Sequence, residues 1–154
     1  MLHKLLPQRI DNTYRGHKFA LWLFALIVLM KIVIGLNTIF NGRLVATTAD
    51  GIPLDTFTPA GVQTVLALFA IWGVAHLIIC LLCALILARY RAMVPLMFTL
   101  LVLEFLSRKL VLYFLPIVRI GSPPGFFVNL ALLALMIVGL MLSLRSQDNL
   151  QAQE

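Results

Sequence analysis

Five side chains in this sequence can carry charge, protons or a ligand while standing inside runs of apolar residues: Lys31, His76, Glu104, Arg108 and Lys109. Asn129 is a milder, neutral case of the same kind. A charge held near the centre of a bilayer costs ~2.5–3.5 kcal/mol on insertion scales, so residues that incur it need partners or a task. Glu104 and Arg108 are spaced i, i+4 and face the same way on a helix. Lys109 is turned ~100° from Arg108 and, near a helix end, can snorkel to the interface. These types and spacings predict a polar cluster of Lys31, His76, Glu104 and Arg108, with Glu104 ionised between two cations and Asn129 close by. Such a cluster suits either of two tasks. It can lock helix register, or it can line a path for protons, ions or a polar solute.

His76 would share its helix face with Phe69, Trp72, Gly73, Cys80 and Cys83. The small Gly73 permits close helix contact there. His76 is the sole candidate for holding a cofactor, and no cofactor is expected, because a haem held by two His would need a second His within a span. Cys80-Leu-Leu-Cys83 has a C-x-x-C spacing, which quinone-linked membrane thiol oxidases also carry. Those enzymes add further loop cysteines, and this chain has only the two. An apolar setting suppresses thiolate formation, so the pair is expected to pack rather than react. No metal site is expected, since Cys and His do not fall at zinc-type spacings. No nucleophile–base–acid trio, phosphate loop or carboxylate pair is present either.

These residues must be positioned by elements that cross a membrane. Of 154 residues, 62% are hydrophobic and 12% charged, with a mean hydropathy of +1.02. Soluble domains are nearer half apolar and about a quarter charged. The excess apolar surface calls for lipid. The net charge of +6 does not indicate nucleic acid, because the twelve Lys and Arg are scattered rather than gathered on one face with aromatics between them.

The expected fold is an all-α integral membrane protein, an antiparallel four-transmembrane-helix bundle. Spans are expected at about 19–40, 59–88, 92–115 and 123–144, each long enough for ~30 Å of hydrocarbon. The first is read as an uncleaved span rather than a signal peptide, being too long for an h-region. Residues 1–18 form a basic arm in which a short surface helix over 2–6 is conceivable, and 145–154 a polar tail. Residues 41–58, with Asn41-Gly42 and Asp50-Gly51, read as an outer loop that carries a hairpin or lies back across the bundle mouth. Thr58 suits an N-cap and Pro59 the first helical position.

Flanking cations set the orientation. Lys4, Arg9, Arg15, Lys18, Arg89, Arg91 and Arg145 share one side, against Arg43 and Arg119 on the other. The first set is expected in the cytoplasm, with both termini, in a cell (inner) membrane. Lys31 is 13 residues from Lys18, His76 is 13 from Arg89, and Glu104 is 13 from Arg91. At ~1.5 Å per residue all three then lie about 20 Å from the cytoplasmic edge. The expected partners are the bilayer and other membrane subunits or further copies of the chain, with no nucleic acid. The expected function is a non-enzymatic accessory or assembly subunit of a larger membrane complex. The alternative is an oligomeric small-solute or proton-coupled transporter or channel using Lys31, His76 and Glu104. A membrane redox enzyme is a third reading, resting on His76 and the cysteines. Small multidrug exporters also have four spans, but they hold their essential Glu in the first, where this chain has Lys31.

Overall fold

The computed structural model describes residues 12–14 and 16–145. The remaining basic-arm residues, including Lys4, Arg9 and Arg15, and the tail beyond Arg145 lie outside the described residues. Among the described residues the protein is all-helical, with no strand. Four long helices make up most of it: α1 (Lys18–Phe40), α2 (Pro59–Arg89), α3 (Val94–Phe114) and α4 (Pro124–Leu144). Three of them, α1, α2 and α4, are long and apolar enough to cross a membrane. The fourth, α3, is the one that carries Glu104, Arg108 and Lys109 together.

Local chemistry sets the helix ends. Thr58 Oγ1 accepts a hydrogen bond from Gly61 N at 3.2 Å, and Pro59 occupies the first turn of α2, where its missing N–H costs nothing. Tyr90 closes α2, and a tight 3-10 turn at Arg91–Met93 leads into α3. Pro95 sits in the first turn of α3, and Thr99 Oγ1 donates to its carbonyl at 3.0 Å. Pro116 disfavours helical geometry at Leu115, which caps α3 with ψ 75°.

Residues 41–58 fold rather than loop. Asn41-Gly42 does not turn the chain back, which instead rewinds through a helical turn at Gly42–Leu44 and a π-helical turn at Val45–Ala49. Gly51 then supplies the real turn, with φ +69°. Ala46, Ile52 and Leu54 form a small core with Val62, Val65, Leu66 and Phe69 of α2. Gly51 O accepts from Ile120 N at 2.8 Å. The segment therefore lies back across one end of the protein, joining the start of α2 to the α3–α4 connection.

The main core is built around α1. Its buried residues Ala20, Leu23, Phe24, Ile27, Val28, Lys31, Gly35 and Thr38 form one stripe at helical spacing. Both α2 and α4 pack on α1, while α3 packs mainly on α4. Although adjacent in sequence, α2 and α3 touch sparingly. The contacts of α1 with α2 run in opposite order, Gly35 meeting His76 and Leu77 while Thr38 and Ile39 meet Gly73. Those of α3 with α4 do likewise, Phe98 lying against Gly139 and Arg108 against Asn129. The rings of Phe24 and Phe98 meet edge to face at 5.0 Å, joining α1 to α3. On α3 the last buried residue is Phe105. Beyond it the helix leaves the core, and the charges stand at that point of departure.

Candidate functional site

The stripe that makes α1 the centre of the fold also carries Lys31 inward. Lys31 follows Phe24, Ile27 and Val28 on the buried face, so its stem packs in the core and its ammonium cannot reach the helix end. Glu104 comes from the middle of α3, one residue before the last buried position. Lys31 Nζ lies 3.5 Å from Glu104 Oε2, with side-chain exposures of 7% and 27%. Lys31 is enclosed, and the Glu104 side chain is half-buried with its Oε2 inaccessible. The separation exceeds the ~2.7–2.9 Å of a charge-assisted hydrogen bond, and Glu104 Oε2 has no hydrogen-bond partner. Among the described residues this is the single ion pair.

His76 is buried on α2 with its ring against Gly35, one turn along α1 from Lys31. It is near enough to feel the charges of both Lys31 and Glu104. Its Nε2 is buried and makes no hydrogen bond. The Trp72 ring lies one turn away on the same face, with centroids 5.6 Å apart. Cys80 and Cys83 continue that face as free, buried thiols. The fold thus brings Lys31, His76 and Glu104 to one locus with two buried polar atoms left unbonded.

Arg108 takes a different partner from the expected one. Instead of turning back one helical turn to Glu104, its Nη2 donates to Asn129 Oδ1 on α4 at 3.4 Å. Asn129 is held in turn by donating from Nδ2 to Gly125 O at 2.7 Å. The guanidinium carbon lies 5.3 Å from the Trp72 ring centroid and 5.5 Å from that of Phe105. Those ring faces stabilise a half-buried cation that has no carboxylate at ion-pair distance among the described residues. Lys109 likewise lies over Phe126, at 4.9 Å. The platform role of Phe105 was missed in the sequence, although its i, i+3 spacing to Arg108 is the signal that contained it.

A second acidic group approaches these cations from outside. Asp50, on the folded 41–58 segment, feels Arg119, Arg108 and Lys109. Burial nonetheless pushes its carboxyl above the ordinary range, outweighing the three cations. The arrangement is therefore two-tiered: an inner pair of Lys31 and Glu104 beside His76, and an outer group of Arg108, Lys109, Arg119 and Asp50.

Among the described residues no group of three His, Cys, Asp or Glu could hold a metal. The inner tier offers ionisable and hydrogen-bonding groups, with the buried Cys80 thiol close enough to feel both Lys31 and Glu104. Comparison with known protein families, with curated proteins and with solved structures finds no match for this chain. Function must therefore be argued from the site alone.

Proposed function

We propose that this protein is a non-enzymatic membrane component that assembles with other membrane-spanning helices. In this reading all four helices span the membrane as an antiparallel set, with both termini in the cytoplasm of a cell (inner) membrane. The proposal rests on one observation, a mid-helix ion pair of Lys31 with a half-buried Glu104 whose enclosed Oε2 has no hydrogen-bond partner. A carboxyl group at mid-membrane depth is costly unless its oxygens find partners. A donor or cation from a neighbouring subunit would complete it, and would fix the register of that neighbour as buried polar groups do in helical assemblies. The sparse contact between α2 and α3 supports the same reading, since α3 keeps large apolar side chains such as Leu103 and Leu106 exposed for a further helix to cover.

The test is extraction in a mild detergent followed by mass determination, with cysteine cross-linking from Leu103 and Leu106, exposed neighbours of Glu104 on α3. A stoichiometric partner, or a second copy, cross-linked from these positions is the expected result. A monodisperse monomer with no cross-linked species overturns it. Reporter fusions at the Arg89–Arg91 turn test the orientation, which fails if that turn lies outside the cell.

The unbonded His76 Nε2 beside the ion pair favours a second reading, an oligomeric proton-coupled transporter or channel. It requires proton or solute flux in reconstituted vesicles that Glu104→Gln abolishes without disrupting assembly. Flux of that kind would replace the accessory-subunit reading.

A further inference from the structure

At the opposite end of the protein from the folded 41–58 segment, a cavity of about 450 Å³ opens between the start of α1 and the end of α2. That size lies within the ~300–1,000 Å³ of small-ligand sites. Its rim carries Lys18 and Arg91, together with Asn12 and Tyr14. Neither cation forms an ion pair with a described residue. Arg91 donates from Nε to Leu87 O, at 3.1 Å, which orients the guanidinium, and its terminal nitrogens make no hydrogen bond to a described residue. The Tyr14 hydroxyl is buried and has no hydrogen-bond partner. The described carboxylates are Asp50 and Asp55, on the segment at the far end, and Glu104, at mid-helix. None lines this cavity.

Below the rim the walls turn apolar. Leu21, Ala25 and Leu87 continue the cavity along the two helices. Both α1 and α2 are apolar enough to cross a membrane, so the cavity sits where their apolar lengths meet water. Trp22 lines it and is 77% exposed, as an interfacial aromatic would be. A polar, cationic mouth over an apolar channel matches a molecule with an anionic head and a hydrocarbon tail. Two cations without an ion-pair partner among the described residues, with the Asn12 amide beside them, match phosphate oxygens.

We infer that this cavity binds a phosphate ester, and that the ester is the headgroup of an anionic glycerophospholipid whose chain lies along Leu21, Ala25 and Leu87. The inference is independent of the accessory-subunit reading, since Lys18 and Arg91 are remote from Glu104.

The experiment measures thermal unfolding and native mass spectra of the full chain in neutral detergent, titrated with phosphatidylglycerol, phosphatidylcholine or soluble glycerol 3-phosphate. Phosphatidylglycerol is expected to raise the unfolding temperature and leave retained adducts, with little effect from phosphatidylcholine. Removing each cation should weaken binding roughly fivefold, so Lys18→Gln with Arg91→Gln should lose about 25-fold. Asn12→Leu should weaken it further without changing the charge. Arg89→Gln with Arg145→Gln removes the same charge from exposed positions outside the cavity and should retain binding. An equal loss in that control pair, or equal binding of the two lipids, overturns the site. Equal stabilisation by glycerol 3-phosphate overturns the lipid assignment in favour of a free phosphate ester. Should the Lys18/Arg91 variant fail to fold, the Asn12→Leu comparison decides the matter, and unchanged lipid affinity there overturns the site.

Discussion

Glu104→Gln is the most informative single change, because the two members of the ion pair differ so much in exposure. At 3.5 Å and an effective dielectric near 20, the charges attract by roughly 5 kcal/mol before desolvation is counted. Breaking a fully buried pair by removing one member costs ~3–5 kcal/mol, because the other charge is stranded. Lys31 is that stranded charge, enclosed on the buried stripe of α1 with no other acid to turn to. Glu104 keeps 27% side-chain exposure, so part of the attraction is already screened. We therefore expect a loss of about 2–4 kcal/mol, or a fall of roughly 5–15 °C in unfolding temperature for a chain of this length. The protein carries its own reporter. Cys80 and Cys83 are 2% and 1% exposed, so a thiol-reactive fluorogenic dye should label them only on unfolding. Replacing both partners, as Lys31→Met with Glu104→Leu, removes the stranded charge and should recover stability to within about 1 kcal/mol of the parent. An unchanged unfolding temperature in Glu104→Gln would refute the reasoning. So would a double variant no better than the single one.

Gly73→Ala should cost more than Gly35→Ala. A Cβ at Gly73 meets the Gly35 carbonyl at 3.1 Å and Ile39 Cγ1 at 2.7 Å, whereas one at Gly35 meets the movable tip of Leu77 at 2.8 Å. The expected cost at Gly73 is ~1–3 kcal/mol, read by the same dye assay, and equal costs would contradict the packing. Asp50→Asn should stabilise the protein at neutral pH. A carboxyl raised by burial favours its protonated form, so its contribution is intact below the unfolded value of 3.8 and is lost as pH rises through the higher folded value. The gap between variant and parent in unfolding temperature should close as the pH approaches 4, and a variant less stable at pH 7 would mean that the three cations dominate. Arg108→Lys should destabilise the protein by about 1 kcal/mol, since an ammonium cannot both span to Asn129 and lie flat on Trp72 and Phe105. An unfolding curve matching the parent would show that only the charge matters.

Helix existence was legible because apolar length survives any arrangement of neighbours. The buried face of α2 was legible, since Gly73, His76, Cys80 and Cys83 mark it, whereas on α1 only Lys31 did, and the structure adds Gly35 and Thr38. The face of α3 was not. Leu101 is buried while Leu100, Leu103, Leu106 and Leu110 are exposed, all with the same side chain. Lipid is as apolar as the core, so the periodic contrast that reports orientation in soluble helices is absent here. For that reason spacing brought Glu104 and Arg108 to one face but could not show that Arg108 would reach outward to Asn129. Residues 41–58 misled for the opposite reason. Asn41-Gly42 has turn chemistry, but the contacts of Ala46, Ile52 and Leu54 with α2 favour a rewound helical segment.

The packing around the site follows from where the small residues fall. Gly35 and Gly73 let α1 and α2 approach backbone to backbone. Gly139 receives the Phe98 ring and draws α3 onto α4. No corresponding glycine on α3 faces α2, since α3 contains none, and its large residues hold the two helices apart. Lys31, on α1, against which both α2 and α4 pack, is enclosed, while the Glu104 side chain on α3 stays half-buried. Among the described residues Glu104 is the one mid-helix carboxylate, and in the proposed assembly it is where another membrane helix would add a partner.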